Sequence, residues 1–152
     1  MQFPPFETLY STADARLLPA TLPRFSNPSL KRAIVFSSTS VITRLESEVA
    51  AERELLQGLA AAEQKIVAAC EQNNVAWTIL RPTLIYAEVR DINITPLSRI
   101  IRRFGFMPLV LGASGLRQRV HAEDLAIGAI AAASSPAAAN RFYSLPGGET
   151  LA

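Results

Sequence analysis

Four consecutive hydroxyl side chains, Ser37-Ser38-Thr39-Ser40, form the densest group in this chain that could do chemistry. They follow Lys31-Arg-Ala-Ile-Val-Phe36, a short β-branched run of the kind found inside a parallel sheet. Hydroxyls at a strand's end can bind a ligand or satisfy nearby backbone groups. A second concentration is cationic: from Arg81 to Arg119 there are seven arginines against Glu88 and Asp91, a local net charge of +5. Such a stretch can hold a diphosphate or a nucleic-acid backbone. Arg99, Arg102 and Arg103 share one helix face, for which solvated surface is the commonest explanation, and the segment lacks the interleaved aromatics of a single-strand binder, so nucleic acid is not the expected partner. His121 has no cysteine or serine at motif spacing and reads as a packed or solvent-facing residue. Glu123 and Asp124 suit a helix's first turn, where acids complement the dipole. One cysteine and one histidine form neither an internal disulfide nor a structural zinc site, so no metal is expected.

The elements that must position these groups alternate strand and helix. Between about Glu46 and Gln72 only Gly58 interrupts helical character, and Leu56, Leu59, Glu63, Ile66 and Cys70 fall on one stripe, which makes Cys70 an inert core residue. Asn73-Asn74 suits the helix end. Val75-Ala-Trp-Thr-Ile-Leu80 reads as a second buried strand stopped by Arg81-Pro82, and strand, helix, strand in this order implies a right-handed parallel crossover. Thr95-Pro96 opens a short basic helix. Arg117 to Val120 is extended, His121-Ala-Glu-Asp leads into an alanine-rich helix ended by Ser134-Ser-Pro, and Arg141-Phe-Tyr-Ser-Leu145 is the last strand. Five prolines within residues 1–29 leave room for one short helix, between about Phe6 and Leu18, among turns.

With 152 residues, 49% hydrophobic and 18% charged, the chain predicts a single domain, 1–152, and excludes disorder and a coiled coil. The net charge of +2 is too small a surplus to mark a nucleic-acid protein. The first residues show no leader pattern, and the longest apolar run, Leu125 to Ala133, is far shorter than a bilayer crossing. The expected location is cytoplasmic, without a membrane partner.

Val35-Phe-Ser-Ser-Thr-Ser40, Trp77-Thr-Ile-Leu-Arg-Pro-Thr-Leu-Ile-Tyr86 and Val120-His-Ala-Glu-Asp-Leu-Ala126, in that order and over residues 30–150, resemble the NAD-dependent epimerase/dehydratase family of extended short-chain dehydrogenases, its nucleoside-diphosphate-sugar members above all. The resemblance implies an α/β fold: a partial, truncated Rossmann-like parallel sheet with flanking helices and a small C-terminal substrate-side subdomain. It places Ser37 and Ser38 where the family's strand end approaches the nicotinamide, Thr39 at the hydroxyl that assists the catalytic tyrosine, and Pro82, Thr83 and Leu84 beside the nicotinamide. Arg117 matches an arginine that binds a substrate's diphosphate, a task suited to a forked guanidinium.

Two of the family's signatures do not occur. No glycine precedes Gly58, so the Gly-x-x-Gly-x-x-Gly turn that cradles the cofactor's pyrophosphate is missing; Gly112-Ala-Ser-Gly115 stops short because Gln118 takes the third position. The Tyr-x-x-x-Lys pair, in which the ammonium lowers the phenol's pKa, is also missing: four residues beyond Tyr10, Tyr86 and Tyr143 stand Asp14, Arg90 and Gly147. If Glu63 matches the acid that follows this motif, Leu55 and Leu59 occupy the pair's places.

The expectation is an NAD(P)-dependent nucleotide-sugar epimerase/dehydratase-like protein that is catalytically incomplete as given. The alternatives are a non-catalytic binding or assembly module derived from that family and, less well supported, an arginine-lined nucleic-acid binder. NAD or NADP serves the full-length family and is not expected to bind this chain alone. Expected partners are a nucleotide-sugar-like small molecule and a second copy, because in the family's sheet order the strand at 32–37 would lie near an open edge.

Overall fold

The computed structural model describes residues 4–21, 28–87, 95–105, 117–148 and 150–151. Its main sheet is fully parallel, in the order β1 (Thr8–Ser11), β2 (Arg32–Phe36), β3 (Ala76–Pro82), β6 (Arg141–Leu145). Between β2 and β3 run the one-turn α2 (Ser40–Thr43) and the long α3 (Ala50–Gln72), which covers one face. α5 (Ala122–Ser134) covers the other, giving the two-sided burial that parallel sheets require. Side chains sort by strand alternation: Ala33, Val35, Trp77 and Ile79 join Leu59, Ile66 and Cys70 under α3, while Ile34 and Leu80 join Ala129 under α5.

Local chemistry fixes the boundaries. α3 ends at Asn73, and Asn74 takes a left-handed φ of 54°, a conformation asparagine tolerates better than most residues. Asn140 (φ 57°) sets β6 in register: its N–H donates to the Trp77 carbonyl and its Oδ1 accepts from the Trp77 N–H at 3.1 Å.

A second, smaller sheet joins β4 (Leu84–Tyr86), parallel, and β7 (Thr150–Leu151), antiparallel, to β5 (Arg117–His121). α4 (Thr95–Phe104) is the basic helix. The α/β class and the parallel sheet with flanking helices are as the sequence implies.

The N-terminal segment differs from expectation. Instead of one helix over 6–18 there is β1, a 3₁₀ turn (Ala15–Leu17) and the short α1 (Leu18–Thr21). β1 forms because β2 supplies its hydrogen-bond partner, a tertiary gain that local propensity does not contain. The strand at 32–37 is therefore interior, flanked by β1 and β3, and the outer position falls to β1.

Asp14 caps the 3₁₀ turn, accepting from the Arg16 N–H at 2.9 Å. Hydrogen bonds from the Arg16 side chain and backbone hold its carboxyl below the usual carboxylate range. Because the folded pKa is depressed, the contribution is complete above the unfolded value of about 3.9 and is lost as pH falls through the folded one. The pair is largely exposed, so Asp14→Ala should cost at most about 1 kcal/mol at neutral pH. Melts of both proteins should converge toward about pH 2, where the carboxyl is protonated.

Candidate functional site

The expected site residues converge at the carboxyl ends of β2 and β3, where open α/β sheets bind ligands. The Ser37 N–H donates to the Leu80 carbonyl at 2.8 Å and the Thr39 N–H to the Pro82 carbonyl at 3.0 Å, continuing the β2–β3 pairing past Phe36. Thr39 Oγ1 donates to the same Pro82 oxygen at 3.2 Å. That hydroxyl is engaged in fixing the end of β3. Pro82 is the last residue of β3, and Leu84 already begins β4, so the expected loop shrinks to Thr83, whose N–H donates to the Leu145 carbonyl at 3.3 Å.

Ser37, Ser38, Thr39, Pro82, Thr83 and Leu84 thus lie together at the ends of β2 and β3, and among them Ser38 lines a cleft. β5 runs beside β4, with Arg119 in register with Leu84. Arg117 opens β5, and its side chain lies outside the described residues.

Ser37 Oγ and Thr83 Oγ1 are buried without a hydrogen-bond partner. Buried hydroxyls of this kind destabilise a fold until something satisfies them, so they mark where a polar ligand edge would fit. The amide-bearing end of a nicotinamide is such an edge. For the pyrophosphate end, the described residues offer no glycine turn between a strand and a helix.

Ser38 and Ser40 open on a cavity of about 510 Å³, lined further by Val49, Ala51, Glu52, Leu55, Leu56 and Leu59. Leu55 and Leu59 therefore line the same cavity as Ser38 and Ser40; if Glu63 matches the acid that follows the family's motif, theirs are the places of the phenol and the ammonium. Leucine carries no titratable atom, so this wall can exclude water and pack, and cannot transfer a proton. Glu52 holds the rim, accepting from Ser47 Oγ at 2.5 Å and pairing with Arg44 at 2.9 Å.

Sequence reasoning missed an ion pair just behind the cleft. Arg81, the penultimate residue of β3, donates from Nε and Nη2 to Glu63 on α3 at 3.0 and 2.5 Å, and its guanidinium lies 4.3 Å from the centre of the Phe142 ring. The available signal was Glu63 itself: an acid on an apolar stripe needs a cation opposite.

The isolated titratable residues are structural. His121 Nδ1 accepts from the Glu123 N–H at 3.3 Å, capping α5, and its ring meets Tyr86 edge-on at 5.1 Å. Cys70 is buried under α3, and burial pushes its thiol up to about 11. Iodoacetamide at pH 8 should therefore label the native protein far more slowly than the urea-unfolded chain; equal rates would show that Cys70 is accessible.

Three comparisons bear on this geometry. No family model matches the chain. Among solved structures it superposes on the UDP-glucose 4-epimerase of Thermotoga maritima with a TM-score of 0.69 over 95% of its residues, and on the dTDP-glucose 4,6-dehydratase of Bacillus anthracis, in complex with NAD, with 0.72 over 95%. The chain has the fold of the NAD-dependent sugar epimerases and dehydratases. Identities to those two are 14% and 12%, and the chain spans 57% and 52% of their lengths. Among curated sequences it is 33% identical over 92 residues to NADH dehydrogenase (ubiquinone) 1 alpha subcomplex subunit 9, mitochondrial, of Arabidopsis thaliana. That match covers 60% of this chain and 21% of the plant protein.

Proposed function

We propose that this chain is an epimerase/dehydratase-fold module that binds or assembles and does not turn over substrate. One observation carries the reading: Leu55 and Leu59, the positions that the resemblance gives to the phenol and the ammonium, line the same cleft as Ser38 and Ser40, and neither leucine can exchange a proton with a bound sugar. The plant relative supports it, since that protein is named as a subunit of a larger enzyme.

The same reading gives the cleft a binding role. Ser37 and Thr83 receive the nicotinamide end of NAD or NADP, with Ser38, Pro82 and Leu84 beside it, once a glycine-rich turn is supplied to hold the pyrophosphate; Arg117 holds the diphosphate of a nucleotide-sugar-like ligand. NAD, when bound, would supply hydride exchange. Self-association of the chain uses β1, the outer strand of the main sheet.

The test is to incubate the protein with NAD and UDP-glucose or dTDP-glucose and follow the sugars by NMR. The expected result is no epimer or dehydration product, and no calorimetric NAD binding at micromolar concentrations. Turnover that disappears in Thr39→Ala would overturn the non-catalytic reading.

A further inference from the structure

Among the described helices α4 is the most amphipathic, and its apolar side is not buried. Ile100, Ile101 and Phe104 are 38%, 38% and 59% exposed. At about 100° per residue these three fall within roughly 100° of the helix circumference, and Arg99, Arg102 and Arg103, all exposed, fall within a similar arc on the opposite side. In a helix that belongs to a protein core the apolar arc packs inward. Here it faces outward, bordered by cations.

We infer that α4 is an interfacial helix that lies in the plane of an anionic lipid surface, Ile100, Ile101 and Phe104 entering the acyl boundary while Arg99, Arg102 and Arg103 reach the head groups. Charge complementarity selects this occupant: α4 carries three arginines and no acidic residue, which matches anionic phosphates. A nucleic acid would use the arginines and leave the apolar arc in water, and an apolar protein groove would not require three cations on the far side. Arginine is suited to both demands, since its stem lies along apolar surface while its head stays hydrated. The Arg103 guanidinium lies 5.6 Å from the centre of the Phe104 ring, so the cationic and apolar arcs meet at that border. Among the described residues no helix is long and apolar enough to cross a membrane, and an in-plane helix does not need to be. The proposal departs from the expectation that the chain has no membrane partner.

The test is flotation of the whole chain with vesicles of phosphatidylcholine and phosphatidylglycerol in about a two-to-one ratio, against phosphatidylcholine alone. Binding should require the anionic lipid and fall with added salt. The triple change Arg99→Gln, Arg102→Gln, Arg103→Gln should weaken it on the order of a hundredfold at low ionic strength. Ile101→Gln with Phe104→Gln keeps every charge and should still lose at least about tenfold, because the apolar area no longer enters the boundary. These positions are exposed, so folding should survive, which a far-ultraviolet spectrum verifies. In a separate Phe104→Trp variant, the new indole should shift its emission to the blue on anionic vesicles, against the fixed background of buried Trp77. Three results would each overturn the proposal: no flotation, an unshifted indole, or binding that depends on the arginines alone and is displaced by an oligonucleotide.

Discussion

Arg81→Met should destabilise the protein by about 3–5 kcal/mol, lowering the melting temperature by roughly 10 °C in a domain of this size. The Glu63 side chain is 4% exposed and its carboxylate is paired with the Arg81 guanidinium, itself 16% exposed. Methionine keeps an unbranched stem against Phe142 and removes the charge, so what is measured is mostly the penalty of an uncompensated buried carboxylate. Combining Arg81→Met with Glu63→Met should recover most of the loss, since well-packed apolar residues often replace a buried pair at little cost. Urea denaturation of the two single variants and the double gives the coupling. A single-variant loss below about 1 kcal/mol would mean the carboxylate finds water, and that the pair does not tie α3 to β3.

That tie matters beyond stability. Arg81 directly precedes Pro82 and Thr83, so the ion pair anchors the end of β3 where the cleft begins, and the hydrogen bonds from Ser37 and Thr39 depend on that end staying in place. The cleft is therefore held from both sides: by a charge pair under α3 and by backbone pairing with the segment after β2. A site that keeps its scaffold while carrying leucines where the resemblance places the phenol and the ammonium suits the binding role proposed above, which needs shape.

What the sequence disclosed followed from how each element is stabilised. β2, β3 and β6 are short runs bounded by turn residues, and α3 declares itself by a long helical stripe, so burial and pattern agree and their limits are readable to within a few residues. β1 was hidden because four residues, Thr8 to Ser11, become a strand by pairing with β2, twenty-four positions away. β4 was hidden because proline at 82 argues for a stop, whereas the chain changes sheets within one residue, Thr83. Arg32 concealed the most. It reads as a charged strand opening, yet it is buried, donating from Nη2 to Thr78 Oγ1 and to the Ala132 carbonyl at 2.8 Å each, and so placing a cation at the C-terminus of α5. No local pattern reports a partner that lies a hundred residues downstream. The convergence of Ser37 with Thr83 was legible through motif order; the leucine wall was legible as an absence of the Tyr-x-x-x-Lys pair, and its place in one cavity with Ser38 and Ser40 needed the fold.

Gly147→Ala should disrupt the small sheet, while Gly148→Ala, one residue on, should be nearly silent. A Cβ at Gly147 would overlap the carbonyl group of Arg119, backbone that cannot rotate away, whereas a Cβ at Gly148 meets nothing. The requirement is space and not an unusual backbone angle. Arg119 sits in the middle of β5, paired on one side with Leu84, while the neighbouring Gln118 pairs with Thr150 of β7. Relieving the overlap therefore means moving the turn after β6 off β5, which takes β7 with it and frees the strand that Arg117 opens. Overpacking of this kind costs about 1–3 kcal/mol, and more where the obstacle is main chain; an exposed Gly148→Ala should stay within about 0.5 kcal/mol. Hydrogen exchange resolves where the damage falls: amides of residues 117–121 should lose protection in Gly147→Ala at temperatures where β2 and β3 still hold theirs. Equal melting temperatures for the two alanine variants, or uniform loss of protection across both sheets, would show that the close approach of Gly147 to β5 does not position the wall of the cleft.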